Sequence, residues 1–209
     1  ILASLLLQAS FVFADRGDLI AELADRTLSN PASGFFQPAA NITDLNFTLR
    51  NYPELMPNLG SDHAHTHPPG LILANWLTIR AFEPFPTVSQ QLANVATVGR
   101  CADLWLLQQP PAVAAALVLW ALLPMLLGAL AILPTYAWAR QLLPTTGAKF
   151  AALLVATTPA LLLFAPKSVQ LFAFFTPLIF LCWHNGLAHR KNGRLFLAGF
   201  FLSLATFLS

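Results

Sequence analysis

The chain has 209 residues, of which 56% are hydrophobic and only 10% are charged, and its mean hydropathy is +0.63. Soluble domains carry about 25% charged residues, so this composition excludes an ordinary water-soluble globular protein and predicts a membrane protein. The formal net charge is +2, and we expect no nucleic acid among the partners. Cys101 and Cys182 lie far apart in the sequence, which predicts free thiols rather than a disulfide framework.

Long uncharged runs predict membrane spans, because a hydrocarbon core of about 30 Å needs about 20 apolar residues in a helix. The sequence starts without Met inside one apolar run and stops inside another, so we expect a piece of a longer polypeptide. The predicted spans cover residues 112–138, 150–166, 168–188 and 195–209, the last of them truncated, and residues 1–14 form the end of a truncated first span. These runs predict an all-α polytopic protein, a bundle of transmembrane helices.

The charges predict the orientation of this bundle. All nine acidic residues lie between Asp15 and Asp103, whereas the basic stretches at 140–149 and 189–194 are short connections between spans. Short basic loops stay in the cytoplasm. We therefore expect a multi-pass protein of the plasma membrane with residues 15–111 as a long external first loop on the non-cytoplasmic side.

Within this first loop the sequence predicts juxtamembrane helices. Residues 18–28 place Leu19, Leu23 and Ala24 on one stripe with acidic residues opposite. Residues 30–60 contain Pro, Gly and Asn throughout and are expected to form an ordered loop. Pro68 and Pro69 then open a short apolar helix that has too few residues to cross a membrane.

Asp15 and Asp18 follow the first apolar run directly. A carboxylate at the membrane surface is partly dry, so its pKa can shift and it can act as a general base. The alternative is a solvated helix N-terminus, where acidic residues interact favourably with the helix dipole. Both interpretations remain open at this point.

The stretch "SDHAHTHPPG" places His63, His65 and His67 at every second position. Alternating residues share one face of an extended strand, so the three imidazoles, with Asp62, could hold Zn²⁺. The two prolines that follow favour entry into a helix instead. We therefore expect a protein that requires no cofactor, with the binding of a divalent metal as the alternative.

Three cations on the predicted external side are candidates for phosphate binding, namely Lys167, Arg80 and Arg100. A positive charge held where water is scarce attracts an anion more strongly than one in bulk water. The alternative for Lys167 is a lysine that extends to the membrane interface. The sequence has no phosphate-binding glycine-rich loop and no nucleotide fingerprint.

The order of these features resembles a known family. Acidic residues after a first span are followed by a long external loop, by "THPPG" before a short helix, and by a span that ends in "PTYAWARQLLP". This order is similar to that of the GT-C membrane glycosyltransferases, in particular the dolichyl- or polyprenyl-phosphate-mannose mannosyltransferase and aminoarabinose-transferase-like group (glycosyltransferase family 39-like). The family's Tyr-x-x-Ala/Gly-Arg-x-Leu end corresponds here to Tyr136, Ala139, Arg140 and Leu142.

The resemblance implies transfer of a sugar from a polyprenyl-phosphate donor to an acceptor hydroxyl of a lipid, glycan or protein on the non-cytoplasmic face. It implies that Asp15 or Asp18 is the general base, and that His65, His67, Lys167, Arg80 and Arg100 bind substrate. "DRGDLIAEL" departs from the Asp-acid-Tyr order usual at the start of this loop, and "KSVQ" lacks an acidic residue usual after the third span. The alternatives are a metal or solute transporter and a catalytically inactive membrane scaffold.

Overall fold

The computed structural model describes residues 1–29, 33–61, 63–98 and 103–209. Helices make up 78% of the described residues, which form no β-strand. The predicted all-α class is confirmed. The helices in chain order are α1 Leu2–Arg16, α2 Leu19–Leu28, α3 Phe36–Ala40, α4 Leu45–Arg50, α5 Tyr52–Leu55, α6 Gly70–Phe82, α7 Pro86–Ala96, α8 Leu104–Leu107, α9 Pro111–Leu130, α10 Ile132–Leu142, α11 Thr145–Ala156, α12 Pro159–Leu163, α13 Val169–Ala188 and α14 Asn192–Leu208.

The chain divides into two compact units. The apolar unit comprises residues 1–14 and 124–207, and the acidic unit comprises residues 15–123 and 208–209. All nine acidic residues of the sequence belong to the acidic unit. The candidate catalytic aspartates therefore lie outside the unit that contains most of the apolar helices.

Three helical segments of the described residues are long and apolar enough to cross a membrane, namely Pro111–Leu142, Thr145–Leu163 and Val169–Ala188. They coincide with the predicted spans 112–138, 150–166 and 168–188, and each begins or ends within about five residues of the predicted limits. Leu2–Asp15 and Asn192–Leu208, where two truncated spans were predicted, are shorter apolar helices. Length and composition thus indicate a membrane protein.

Helix packing in the apolar unit centres on α10, which contacts both α11 and α13. The rings of Trp138 on α10 and Phe180 on α13 stack with centroids 4.9 Å apart and planes 9° from parallel. Aromatic pairs of this kind contribute about 0.5–1.5 kcal/mol beyond their buried area. Gly186 on α13 allows Leu195 of α14 to approach so closely that a Cβ there would lie 2.6 Å from Leu195 Cδ2.

In the acidic unit, α2 begins where Asp18 Oδ1 accepts a hydrogen bond from Ala21 N at 3.0 Å. Leu23 and Ala24 of the predicted stripe are buried together with Leu28, whereas Leu19 is only half-buried. Glu22 is buried with them and is only 3% exposed. The prediction that the acidic residues lie opposite the apolar stripe is wrong for Glu22, because its carboxylate is paired on the buried face.

Residues 33–60 are largely helical rather than an ordered loop, so that prediction is corrected. This stretch forms α3, α4, α5 and a short 3₁₀ helix, Met56–Asn58. Asp44 Oδ1 accepts from Phe47 N at 3.0 Å and starts α4. α3 packs against α6, with Phe36 and Ala39 almost fully buried.

The helix that follows the two prolines is α6, with 13 residues, and it is shorter than a span, as predicted. Trp120 of α9 donates its indole N–H to Thr78 Oγ1 of α6 at 3.1 Å. Since α9 belongs to a candidate span, this bond connects the short helix to a membrane segment within the acidic unit.

α7 turns back from α6, and Ser89 Oγ donates to Phe82 O at 2.8 Å across the turn. Its 11 residues include no charged side chain. The helix buries Ser89, Ala93 and Ala96. Phe85, which precedes it, and Val88 and Val95 are about half exposed and form an apolar stripe along the helix.

Candidate functional site

The carboxylate of Asp15 is held at the end of α1 by an arginine of the next helix. Arg26 Nη2 donates to Asp15 Oδ2 at 2.9 Å, and Arg26 Nε donates to Glu22 Oε1 at 2.6 Å. The Asp15 side chain is 56% exposed, whereas that of Glu22 is 4% exposed. Arg26 therefore joins an accessible carboxylate to a buried one.

Burial alone lowers the pKa of Arg26, but its hydrogen bonds to Glu22 and Asp15 outweigh that effect and the net pKa is raised. The guanidinium stays charged at every physiological pH. A charged arginine fixed between two carboxylates positions Asp15 by a charge-assisted hydrogen bond. The pairing also compensates the burial of Glu22.

Asp18 has a different role in the structure. Its carboxylate is the N-cap of α2, a position that aspartate favours because its oxygen satisfies a free backbone N–H. This is the capping alternative considered for the acidic pair. Both aspartates are exposed, and they differ in their partners, since Asp18 caps α2 whereas Asp15 is held by Arg26.

The histidine segment folds into turns whose centre is an aromatic cluster. The His67 ring lies edge-on to Phe35 with centroids 5.5 Å apart, and the His63 ring lies 6.1 Å from Phe35. Tyr52 donates its hydroxyl to His67 O at 3.0 Å. Tyr52 is buried, and this burial raises the pKa of its phenol. The cluster fixes the start of α6.

His67 Nδ1 donates to His63 O at 2.7 Å. A carbonyl accepts only, so Nδ1 carries the proton and Nε2 is the acceptor atom of the neutral ring. In that form His67 can accept a proton from a hydroxyl group.

The extended strand that the zinc hypothesis requires is not formed, because residues 63–66 lie in turns. The His63 and His67 rings are 6.0 Å apart, and His65 Nε2 is buried and finds no hydrogen-bond partner among the described residues. No group of three metal-ligating side chains able to hold a metal ion occurs in the described part of the chain. Asp62 lies outside it.

A cavity with a volume of about 230 Å³ lies in the acidic unit beside the end of α6. Trp76, Arg80 and Glu83 line it, together with Thr43 and Gln109. Arg80 Nη1 donates to Glu83 Oε1 at 2.6 Å, and the guanidinium carbon lies 5.2 Å from the centre of the Trp76 ring. The indole N–H of Trp76 is buried and has no partner among the residues described.

The other two predicted substrate-binding cations are Lys167 and Arg100. Lys167 belongs to the apolar unit, where its Nζ is 5.3 Å from the centre of the Phe164 ring, a contact that a cation makes with an aromatic face. Arg100 falls outside the described residues. The acidic unit thus brings Asp15 to Arg26, His63 to His67, and Arg80 to Glu83.

Sequence reasoning missed Glu22, Arg26 and Trp76. The spacing of Glu22 and Arg26, four residues apart on a predicted helix, is typical of a side-chain ion pair and is the signal that could have identified them. Nothing in the sequence distinguishes Trp76 from any other tryptophan of an apolar helix. No family model, curated protein or solved structure matches the chain, so the assignment of these residues depends on their geometry and chemistry.

Proposed function

We propose that the chain is part of a membrane glycosyltransferase that moves a sugar from a polyprenyl-phosphate donor to an acceptor hydroxyl on the non-cytoplasmic face. The observation that carries this proposal is the fixed and accessible carboxylate of Asp15. It lies at the end of an apolar helix and bonds to Arg26 at 2.9 Å.

The chemistry requires little more than such a carboxylate and a cation. A phosphate is a stable leaving group once cations or hydrogen-bond donors meet it, so catalysis consists mainly of removing the acceptor proton and orienting the two substrates. Asp15 is the general base in this proposal, and Arg26 positions it. Residues 15–111 form the non-cytoplasmic region, which places Asp15 on that face.

The apolar unit contains a groove that suits the lipid of the donor. It has a volume of about 580 Å³, and its walls are largely apolar, with Trp138, Phe172 and Phe180 among them. Val169 also lines the groove and follows Lys167 by two residues. We assign the groove to the polyprenyl chain and Lys167 to the phosphate, because an apolar tail and an anionic head require these two environments.

The test uses membrane vesicles that contain the full chain and radiolabelled polyprenyl-phosphate mannose or polyprenyl-phosphate aminoarabinose as donor. Asp15→Asn removes the base, and we expect transfer of label to fall by about 10²–10⁴-fold. Asp18→Asn should retain transfer, because asparagine also caps helices well. Asp44→Asn makes the same change at the cap of α4 and is the matched control.

Transfer at the wild-type rate in Asp15→Asn would contradict the assigned base, and loss of transfer in Asp18→Asn alone would assign that role to Asp18. Absence of transfer by the wild type from either donor would contradict the reaction with these sugars. Uptake of Zn²⁺ into the vesicles would instead favour the transporter alternative. A wild type that neither transfers nor transports would favour the inactive scaffold.

A further inference from the structure

We propose that the turn between α13 and α14 binds the phosphate of an anionic phospholipid from the surrounding bilayer. The turn comprises residues 189–191, in which Arg190 and Lys191 are exposed. Arg194, in the first turn of α14, is half-buried. We call these three side chains the basic turn. The proposal concerns the lipid around the protein, so it does not depend on the transfer reaction.

The apolar unit carries positive charge without a compensating carboxylate side chain. All nine acidic residues lie between Asp15 and Asp103, a range that belongs to the acidic unit. The lysine and arginine side chains of the apolar unit are Arg140, Lys149, Lys167, Arg190, Lys191 and Arg194. Because no carboxylate side chain of the unit can neutralise them, an anion at the basic turn meets uncompensated positive charge.

The helices that lead to this end of the apolar unit run in the same direction. A Cβ on Gly128 of α9 would lie 3.4 Å from Gln170 Nε2 of α13, and Trp138 of α10 stacks on Phe180 of α13. Between the two contacts both partners advance by the same number of residues, which is the pattern of parallel helices. The carboxyl ends of α10 and α13 therefore lie at the same end of the unit. Arg140, exposed in the last turn of α10, adds a further positive charge there.

The length of α13 places the basic turn at the depth of a lipid headgroup. The helix has 20 residues and is therefore about 30 Å long, which is close to the thickness of a hydrocarbon core. Lys167 precedes the other end of α13. The lipid phosphate proposed here and the donor phosphate assigned to Lys167 are thus different ligands at opposite ends of one helix. Leu187 and Phe196 flank the turn and are 54% and 73% exposed, so they offer apolar surface to acyl chains.

The backbone of Arg190 is unfavourable for a residue with a side chain. Its φ is 51°, in the left-handed region that glycine usually adopts at the end of a helix. Lys191 N donates to Gly186 O at 2.9 Å and closes the end of α13. Strain of this kind is typical of functional positions. The strained position presents a guanidinium, which binds a phosphate through two parallel hydrogen bonds.

An anionic phospholipid fits the basic turn better than phosphatidylcholine does. The phosphate of phosphatidylcholine is accompanied by a quaternary ammonium group, which the cations of the turn repel. The headgroup of phosphatidylglycerol contains no cation. One lysine or arginine near a membrane surface strengthens the binding of anionic lipid by about fivefold. We therefore expect the basic turn to select phosphatidylglycerol over phosphatidylcholine.

The test measures lipid binding to the full chain by native mass spectrometry in polyoxyethylene detergent micelles. Phosphatidylglycerol and phosphatidylcholine with the same acyl chains are titrated separately, and the apparent Kd of the first bound lipid is compared. We expect phosphatidylglycerol to bind more tightly by about fivefold or more. Raising the ionic strength from about 0.1 M to about 1 M should weaken this preference, because salt screens exposed charges.

Substitutions at Arg190 locate the site without disturbing the fold. Glycine suits the left-handed conformation, so Arg190→Gly should unfold at the temperature of the wild type or above it. Its affinity for phosphatidylglycerol should nevertheless fall by about fivefold. Arg190→Lys keeps the charge and should keep most of the preference, whereas Arg190→Gly/Lys191→Gln/Arg194→Gln should lose most of it. Arg50→Gln is the matched control, because it removes an exposed arginine of the acidic unit, and it should bind both lipids like the wild type.

Equal affinity of the wild type for the two lipids would overturn the proposal, and so would an unchanged preference in Arg190→Gly or in the triple variant. Loss of the preference in Arg50→Gln would contradict the assigned location. Glycerol 3-phosphate is the soluble competitor. Displacement of phosphatidylglycerol by an equimolar amount of it would show that the turn binds free phosphate and would contradict the lipid assignment, whereas failure to displace supports it.

Discussion

Gln170 of α13 donates its side-chain amide to Gln8 Oε1 of α1 at 2.8 Å, across 162 residues of sequence. Both side chains are fully buried in the apolar unit. Gln170 also donates to Leu161 O at 2.9 Å, and Gln8 donates to Met125 O at 3.2 Å. Two glutamines thus connect four helical segments through buried hydrogen bonds.

Gln170→Leu should destabilise the apolar unit, because it leaves Gln8 Oε1 and Leu161 O without this donor. Interhelical hydrogen bonds in membranes contribute about 0.6 kcal/mol on average and about 1.7 kcal/mol at most. Loss of the two bonds should therefore lower the free energy of unfolding by about 1–2 kcal/mol. The double variant Gln8→Leu/Gln170→Leu should cost less than the sum of the single variants. Denaturant unfolding in mixed micelles measures these differences, and strict additivity would contradict the coupling.

Gly186→Ala should destabilise the contact between α13 and α14. The new Cβ would lie 2.6 Å from Leu195 Cδ2 and 3.1 Å from Leu195 N, and overpacking of this kind costs about 1–3 kcal/mol. Gly199→Ala is the matched control, because nothing lies within 4 Å of its Cβ position. It should be neutral or stabilise by up to about 1 kcal/mol. Thermal unfolding in nanodiscs compares the two, and an equal effect would contradict the close approach.

Arg26→Gln should destabilise the acidic unit, because the buried Glu22 carboxylate loses its cation. Removing one partner of a buried ion pair costs about 3–5 kcal/mol. Arg50→Gln removes an exposed arginine of the same unit and should cost less than about 0.5 kcal/mol. Protease resistance and denaturant unfolding both measure the difference. The combined variant Glu22→Gln/Arg26→Gln should recover part of the loss, and failure to recover any would contradict this pairing.

Tyr52 should make stability fall at alkaline pH. Burial raises the pKa of Tyr52 in the folded chain above the unfolded value of about 10. The contribution of the neutral phenol is therefore fully present below about pH 10 and is lost as the pH rises toward the folded pKa. Unfolding midpoints between pH 8 and 11 should fall less steeply for Tyr52→Phe than for the wild type. Tyr136→Phe serves as the matched substitution, and equal slopes for Tyr52→Phe and wild type would contradict the prediction.

The sequence predicts a helix well where one strong local feature determines its position. Pro68 and Pro69 indicated the start of α6, and uninterrupted apolar runs indicated the three candidate spans. α3, α4 and α5 contain only 4 to 6 residues, and a periodic pattern cannot be recognised over so short a length.

The candidate site was harder to predict because its geometry depends on partners. Asp15 and Asp18 were equivalent in the sequence, and only the hydrogen bonds distinguish the cap of α2 from the carboxylate held by Arg26. Glu22 was expected on the polar face of α2, because hydropathy scales treat every carboxylate as unpaired. A carboxylate that is paired with a cation can be buried. The cavity at Trp76 combines residues more than 60 positions apart, from Thr43 to Val113, and no local pattern predicts it.

The apolar stripe of α7 has a practical consequence for work with pieces of this protein. Phe85, Val88 and Val95 are exposed on a helix without a charged residue. Separated from lipid, such a stripe favours self-association. The acidic unit, although it carries all of the chain's carboxylates, should therefore precipitate from aqueous buffer when it is expressed alone and should remain dispersed with detergent or lipid.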